Sequence, residues 1–302
     1  MSPKEINSRT KVHAAVPGVA HRHEITRRPV KTNDRAGADR SPGSAYLLNN
    51  ASREAPARFD ALSAIYDPGT IRHLEDRGVS QGWRCLEVGG GGGSITAWLA
   101  DRVGAAGHVL VTDIDPRFLE SFTAQNVEVR RHNIVTEPLP EAAFDLIHCR
   151  LVLIHLPERE KVLARLVAAL KPGGWLVDEE FDAASLLADS TVSPGEILLK
   201  TQIGVMRILE DRGVERRWGR LLFGQLRALG LVGVDAQARM SMWHRGSPGA
   251  VLMRVNFEQL HGALIDAGYI TQQEFDQDLA SLDDPDFMAP SPIMWTAWGR
   301  RP

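Results

Sequence analysis

From Arg84 onward, short apolar runs alternate with stretches in which apolar residues recur every three or four positions. The short runs predict strands at Cys85–Val88, Val109–Thr112, Val127–Arg130, Leu146–Cys149 and Trp175–Val177. The periodic stretches between them predict helices at Thr96–Val103, Arg117–Ala124 and Glu158–Leu170. Strand–helix alternation of this kind builds an α/β domain on a parallel sheet. Right-handed crossovers then place ligands at the carboxyl ends of the strands. Upstream, Ala55–Leu62 reads as a helix, and Asp67-Pro68 as the start of a second one that ends at Gly78. After Asp182 the rhythm changes. Glu196–Arg212, Trp218–Leu229 and Leu252–Ala267 read as helices, and Thr271 with Glu274 forms a capping box for one more. Val232–Met240 and Ile293–Gly299 read as strands. Residues 1–42 show no apolar period and are rich in Arg, Lys, His, Pro and Ser, the pattern of a disordered basic tail. The expected organisation is that tail followed by one domain over 43–302. Its parts are a helical lead-in (43–80), a ligand-binding half (84–182), and a second half with helical cap and final strands (183–302).

Composition narrows the setting. Hydrophobic residues make up 43% of the 302 and charged residues 24%, enough for an ordinary packed core. A net charge of −3 argues against nucleic acid or an anionic membrane as the main partner. No apolar run approaches the roughly 20 residues that span a bilayer. The two cysteines, Cys85 and Cys149, sit inside strand-like runs and read as buried thiols, which fits a reducing cytoplasm. No Cys or His cluster has metal-ligand spacing.

The sharpest local signal is Leu86-Glu87-Val88-Gly89-Gly90-Gly91-Gly92-Gly93-Ser94, between a strand and a helix. Five glycines are costly in any regular element. They suit a loop that turns sharply, lets backbone approach a ligand and hands that ligand to a helix N-terminus. Gly89 and Gly91 fit a dinucleotide fingerprint, but its third glycine is replaced by Ser94. Glu87 would repel a pyrophosphate and could receive an amine. About 20 residues on, the strand His108–Asp113 ends in an acid that can accept both hydroxyls of a ribose. Phe144–Arg150 with the following Leu151–Pro157, and then Leu170-Lys171-Pro172-Gly173-Gly174, complete an ordered set of four signals.

In order and spacing, these signals resemble the class I S-adenosylmethionine-dependent methyltransferases from about Arg84 to Asp182. The likeness is to small-molecule enzymes, including those of quinone biosynthesis and natural-product tailoring. It implies a Rossmann-like seven-stranded sheet, mostly parallel, with helices on both faces and the last strand antiparallel. It also implies that the glycine backbone of Gly89, Gly91 and Gly93 touches the methionine part of the cofactor. Glu87 would orient its amino group, Asp113 would hold the ribose, and Ile114 would pack on adenine. Where the family often has an acid facing the adenine amino group, this chain has Asn133 followed by Ile134. The Asn133 carbonyl can accept the same bond. Arg150 is expected beside the sulfonium. Tyr46 and Arg58, in a lead-in that folds over the cofactor in this family, are expected near its carboxylate.

Methyl transfer needs alignment of donor and acceptor, exclusion of water, and a base only if the nucleophile arrives protonated. His155 after the fourth strand, Glu180 among the acids Glu179, Glu180 and Asp182 after the fifth, and His244 in the cap are the candidate catalytic groups. His155 and the acids also have structural explanations: a backbone-bonded histidine, and an acid run that is solvated or caps a loop. The cap residues Met206, Trp218, Phe223, Met240, Met242 and Trp243 read mostly as core. Any that line a pocket would favour an apolar or aromatic acceptor. The expected activity is O-methylation of a small molecule without a metal, and the extra helices offer a homodimer contact. The rivals are a nicotinamide dehydrogenase, against which Ser94 and Glu87 count, and a methyltransferase-like fold that binds the cofactor without transferring its methyl group.

Overall fold

The computed structural model describes residues 47–48, 50–185 and 195–302. The expected tail over 1–42 and Tyr46 lie outside the described residues. Helix α1 (Ala55–Asp76) leads into β1 (Arg84–Val88), α2 (Ser94–Val103), β2 (His108–Asp113), β3 (Val127–Arg131), β4 (Phe144–Arg150), α3 (Arg159–Ala169) and β5 (Leu170–Asp182). The second half runs α4 (Gly195–Glu210), α5 (Trp218–Ala228), β6 (Val232–Arg239), β7 (Met242–His244), α6 (Pro248–Asp266), α7 (Gln272–Ser281), β8 (Met288–Pro290) and β9 (Ile293–Arg300).

Seven strands form one sheet in the order β3-β2-β1-β4-β5-β9-β6. Strands β1 to β5 pair in parallel, and β9 runs antiparallel between β5 and β6. The expected Rossmann-like sheet with an antiparallel last strand is therefore present. The order reverses between β1 and β4, which makes the carboxyl ends of those two strands the place for a ligand. A core of β-strand residues with α3 and α5 fills one face, around Leu153, Leu163, Leu166, Trp218 and Leu222. On the other face Leu74, Ile95, Leu99 and Val103 cover Cys85, Val109 and Val177. A separate apolar cluster joins α1, α4, α6 and α7 beyond the strand ends, with Tyr66, Phe257, Leu260 and Phe275 inside it.

Three expectations change. First, α1 is one helix across Pro68, not two, and Asp67 is not a cap. Proline removes an intrahelical bond. One continuous buried stripe nevertheless ties both halves down: Ala55, Arg58, Ala61, Tyr66, Thr70, His73 and Leu74. Second, residues 117–124 form turns rather than a helix, closed by Leu119 N–H to Pro116 and Phe122 N–H to Leu119. Their apolar side chains cover the glycine loop instead of a helix-facing core: Leu119 lies against Gly90, and Phe122 against Gly93. Asp115 pairs with Arg117. Third, a small two-stranded sheet, β7 with β8, was not foreseen. Its strands of three residues are too short to show a period. The capping box at Thr271 and Glu274 forms as expected.

Candidate functional site at the carboxyl ends of β1 and β4

The glycine loop leaves β1 and enters α2 through Gly93. Gly89 and Gly91 hold φ of +71° and +52°, the left-handed region that favours glycine. Space forbids a side chain as well. A Cβ on Gly89 would come within 2.3 Å of Val152, and one on Gly91 within 2.8 Å of Phe59. Helix α1 thus closes on the loop through Phe59, which also stacks edge-on against Phe118 at 5.2 Å.

Asp113 ends β2 beside the loop. Its carboxylate accepts from the Gly91 amide at 3.1 Å and the Asp115 amide at 2.9 Å. Burial pushes its carboxyl up, while those amides oppose the shift. Ile114 next to it is exposed. Asn133 sits after β3, and its side-chain oxygen already accepts from the Val135 amide at 3.0 Å, an Asx turn. Ile134 is buried behind it.

Glu87, 4% exposed, lies directly opposite His148 on β4. The His148 Nδ1 stands 2.7 Å from the Glu87 carboxylate, and its Nε2 stands 3.4 Å from Glu179 on β5. Glu179 is ringed by further donors. The Thr296 hydroxyl donates to it at 2.5 Å, Arg239 at 2.7 Å, and the Thr70 hydroxyl of α1 also contacts it. Burial alone would push His148 down, but Glu87 and Glu179 outweigh it and hold the ring up, to about 9. Burial alone would push Glu179 up, and His148, Arg150 and Arg239 bring it down to about 2. A buried imidazolium between two carboxylates results. The Tyr66 hydroxyl is buried nearby without a hydrogen-bond partner.

Beyond β4 the backbone turns through Leu151, a non-glycine residue at φ +55°. Residues of this kind tend to gather at functional sites. Glu180 clamps this turn by accepting from the amides of Val152 at 3.1 Å and Leu153 at 2.7 Å. The turn carries His155, whose ring burial pushes down to about 4, helped by the positive charges of Arg58 and Arg159.

Residues 86–178 match the family described as "Methyltransferase domain". Residues 86–178 are a class I methyltransferase domain. A relative, the methyltransferase str2 of Strobilurus tenacellus, is 33% identical over 177 residues, covering 57% of this chain and 62% of that protein. The ubiquinone/menaquinone biosynthesis C-methyltransferase UbiE of Vibrio vulnificus (strain YJ016) is 30% identical over 138 residues, covering 41% of this chain and 53% of that protein. The chain therefore spans about half to six-tenths of the length of these relatives. Among solved structures, a phosphoethanolamine N-methyltransferase 2 of Haemonchus contortus, in complex with phosphomonomethylethanolamine and S-adenosylhomocysteine, shares the fold. Its TM-score is 0.51 at 14% identity, over 85% of this chain and 59% of that one. Family, fold and motif together support S-adenosylmethionine as the cofactor of the methyltransferase domain.

The domain's own residues fit such a group: a side-chain-free loop at a helix N-terminus, a buried acid at its start and a second acid at the next strand end. Other expected site residues have partners of a different kind. Arg58 donates to the Leu48 carbonyl, Gln259 and Asn50, which ties the lead-in to α6. Arg150 donates to Asp67 and Thr70, latching α1 to β4. His244 is exposed in β7, and its ring bonds the Arg245 carbonyl in the turn that starts α6. Of the cap residues, Trp218 and Trp243 are core, whereas Phe223, Met240 and Met242 are exposed. Both cysteines are buried free thiols, on neighbouring strands.

Two groupings escaped sequence reasoning. The row Glu87, His148, Glu179 and Thr296 crosses four adjacent strands. Its signal was available: central strands of a parallel sheet are near-continuously apolar, so a polar residue in each is an anomaly. The second grouping is Cys149, Asp178 and Glu180, whose thiol and carboxyl atoms lie within 4.8 Å of one another. Burial pushes all three up, Asp178 to about 8, so at neutral pH the group is held by protons.

Proposed function

We propose that this chain transfers a methyl group from S-adenosylmethionine to a small, apolar or aromatic acceptor, with a hydroxyl oxygen as the acceptor atom. The observation that carries this reading is the placement of Glu87, the left-handed glycine loop and Asp113 around one point, the topological switch between β1 and β4. When bound, the cofactor supplies an electrophilic methyl carbon on a sulfonium. The chain supplies the alignment. The loop amides and the α2 N-terminus meet the polar end of the amino-acid part. Glu87 receives its ammonium, and Asp113 exchanges its present amide contacts for the ribose hydroxyls. Ile114, already exposed beside Asp113, offers an apolar face to the base.

An apolar acceptor follows from what stands beyond β4 and β5. Leu151, Tyr66 and Phe181 belong to the apolar cluster shared with the cap, and Tyr66 and Phe181 pack edge-on at 5.6 Å. A hydroxyl acceptor must lose a proton. His155, on the turn that Glu180 holds, is the group we assign to take it, although burial and the charges of Arg58 and Arg159 push its ring down to about 4 and make it a weak base. Glu180 acts in this reading as the clamp of that turn and not as the base.

Calorimetric titration with S-adenosylmethionine and, separately, with NAD tests the cofactor. Micromolar binding of the first, weakened at least tenfold by Asp113→Ala, is expected. Preference for NAD would overturn the reading and favour a dehydrogenase. Incubation with a panel of phenols, followed for S-adenosylhomocysteine, tests the transfer. Tight cofactor binding without any product from phenols, amines or carbon acids would leave a binding protein of the same fold.

A further inference from the structure

We propose that His148 is a positioning residue: donating from Nδ1 to Glu87 and from Nε2 to Glu179, it fixes the Glu87 carboxylate to receive the cofactor's amino group. The inference rests on the proposed cofactor and names which interior residue makes its amine site rigid.

The geometry carries it. Glu87 is buried, and a buried carboxylate persists only if it is paired and hydrogen-bonded. Its cation is His148, 0% exposed, at 2.7 Å. That ring is itself fixed from behind. Glu179, also 0% exposed, stands at 3.4 Å and is held by Thr70, Thr296 and Arg239. The chain of contacts therefore runs from the cofactor motif on β1 through β4 and β5 to β6, β9 and α1. The Glu87 carboxylate is anchored through a single oxygen, Oε2, by a rigid partner. A ligand ammonium meeting it finds one orientation instead of several, and preorganised charge binds more tightly because less is lost on ordering.

The groups that face His148 are Glu87 from β1, Glu179 from β5 and, beyond Glu179, Arg150 of β4, Arg239 of β6 and the α1 residues Tyr66, Thr70 and His73; Asp178 of β5 interacts with it across the sheet, from the opposite face. Of these, Glu87 and Glu179 favour the proton on both ring nitrogens, against the effect of burial.

The decisive test compares two probes, S-adenosylhomocysteine and its analogue lacking the amino group, on the whole protein and on His148→Gln. If His148 acts through Glu87, the variant loses about tenfold or more in affinity for S-adenosylhomocysteine. Its affinity for the desamino analogue then stays within about twofold, because that ligand never used the amine site. Equal losses for both probes would mean a merely structural role and would overturn the proposal. No loss for either would do the same. Failure of the unmodified protein to bind either probe would overturn the cofactor reading itself, which the other outcomes leave standing. If His148→Gln does not fold, nitrogen-15 spectra of the histidine rings in the unmodified protein decide. A doubly protonated His148 at pH 7.5 is expected. A ring with one proton, unable to donate to both carboxylates, would sink the idea.

Discussion

Adjacent residues of β5 face opposite sides of the sheet and meet opposite fates. Glu179 faces α1 and the arginines, and its carboxyl is held down to about 2. Asp178 and Glu180 face α3 and α5, where burial pushes Asp178 up to about 8, and burial with the nearby Asp178 carboxyl pushes Glu180 well above its ordinary range. All three are 0% exposed. Burial is therefore common to both faces and cannot explain the difference. Partners do. Glu179 meets an imidazolium, a guanidinium and two hydroxyls. Glu180 meets two backbone amides and a like carboxyl, and Asp178 has that carboxyl and the Cys149 thiol for company. One face stores charge and the other stores protons.

The comparison breaks most visibly at His148. Removing the imidazolium leaves the buried Glu87 carboxylate without its cation, so His148→Ala should cost about 3–5 kcal/mol. Urea unfolding followed by circular dichroism reads this directly, and a loss under about 1 kcal/mol would mean the charges are not buried as described. The pH dependence comes next. His148 rises on folding from an ordinary 6.5 to about 9, so its contribution is complete below 6.5 and fades as pH climbs through 9. Glu179 falls from 4.5 to about 2, so its contribution is complete above 4.5 and fades only towards 2. Asp178 rises from 3.8 to about 8, so the unfolded chain releases a proton the folded one keeps, and stability declines from pH 4 to 8. The melting temperature should accordingly peak in mild acid and fall steadily to pH 9. Asp178→Asn mimics the protonated acid. It should match the unmodified protein near pH 4 and exceed it at pH 9 by several kcal/mol, on the order of 5. Parallel melting curves for the two proteins would show that Asp178 is ionised in the fold.

These fates were only partly legible in the sequence. The sheet, the glycine loop and the acid at the end of β2 were readable because each uses a local signal: an apolar run, a run of glycines, an acid at a strand tip. Glu87 was readable as an acid that could receive an amine, and resemblance named that amine as the cofactor's. His148 was visible as a letter in an apolar strand, but its meaning depends on register, which sets it beside Glu87 and which no local pattern fixes. The continuity of α1 through Pro68 is decided by what its far half packs against, not by proline's own preference. Glu179, Glu180 and Asp182 were read as a group of three following the fifth strand, whereas β5 runs through all of them. Strand alternation, which sends Glu179 to one face and its neighbours to the other, separates them.

Finer changes sharpen the same contrast without breaking it. Thr296→Val removes one donor from Glu179 and keeps the shape, so Arg239 and His148 still hold the carboxylate. The cost should be about 1–2 kcal/mol, with a small upward drift of the acid limb of stability. Tyr66→Phe is the smallest change expected. Its hydroxyl is buried on the charged face without a hydrogen bond, and burial pushes the phenol up, so it stays neutral. An unsatisfied buried hydroxyl contributes nothing in the free protein, and removing it should leave stability unchanged or raise it by about 0.5 kcal/mol. Turnover tells the rest. Tyr66 packs edge-on against Phe181 beyond the strand ends, so in the proposed reaction its hydroxyl has the acceptor as its remaining partner. A rise in KM for a hydroxylated acceptor, with stability unchanged, is therefore expected. Loss of stability by more than about 1 kcal/mol would instead mean that the hydroxyl is bonded within the fold and belongs with the satisfied groups around Glu179.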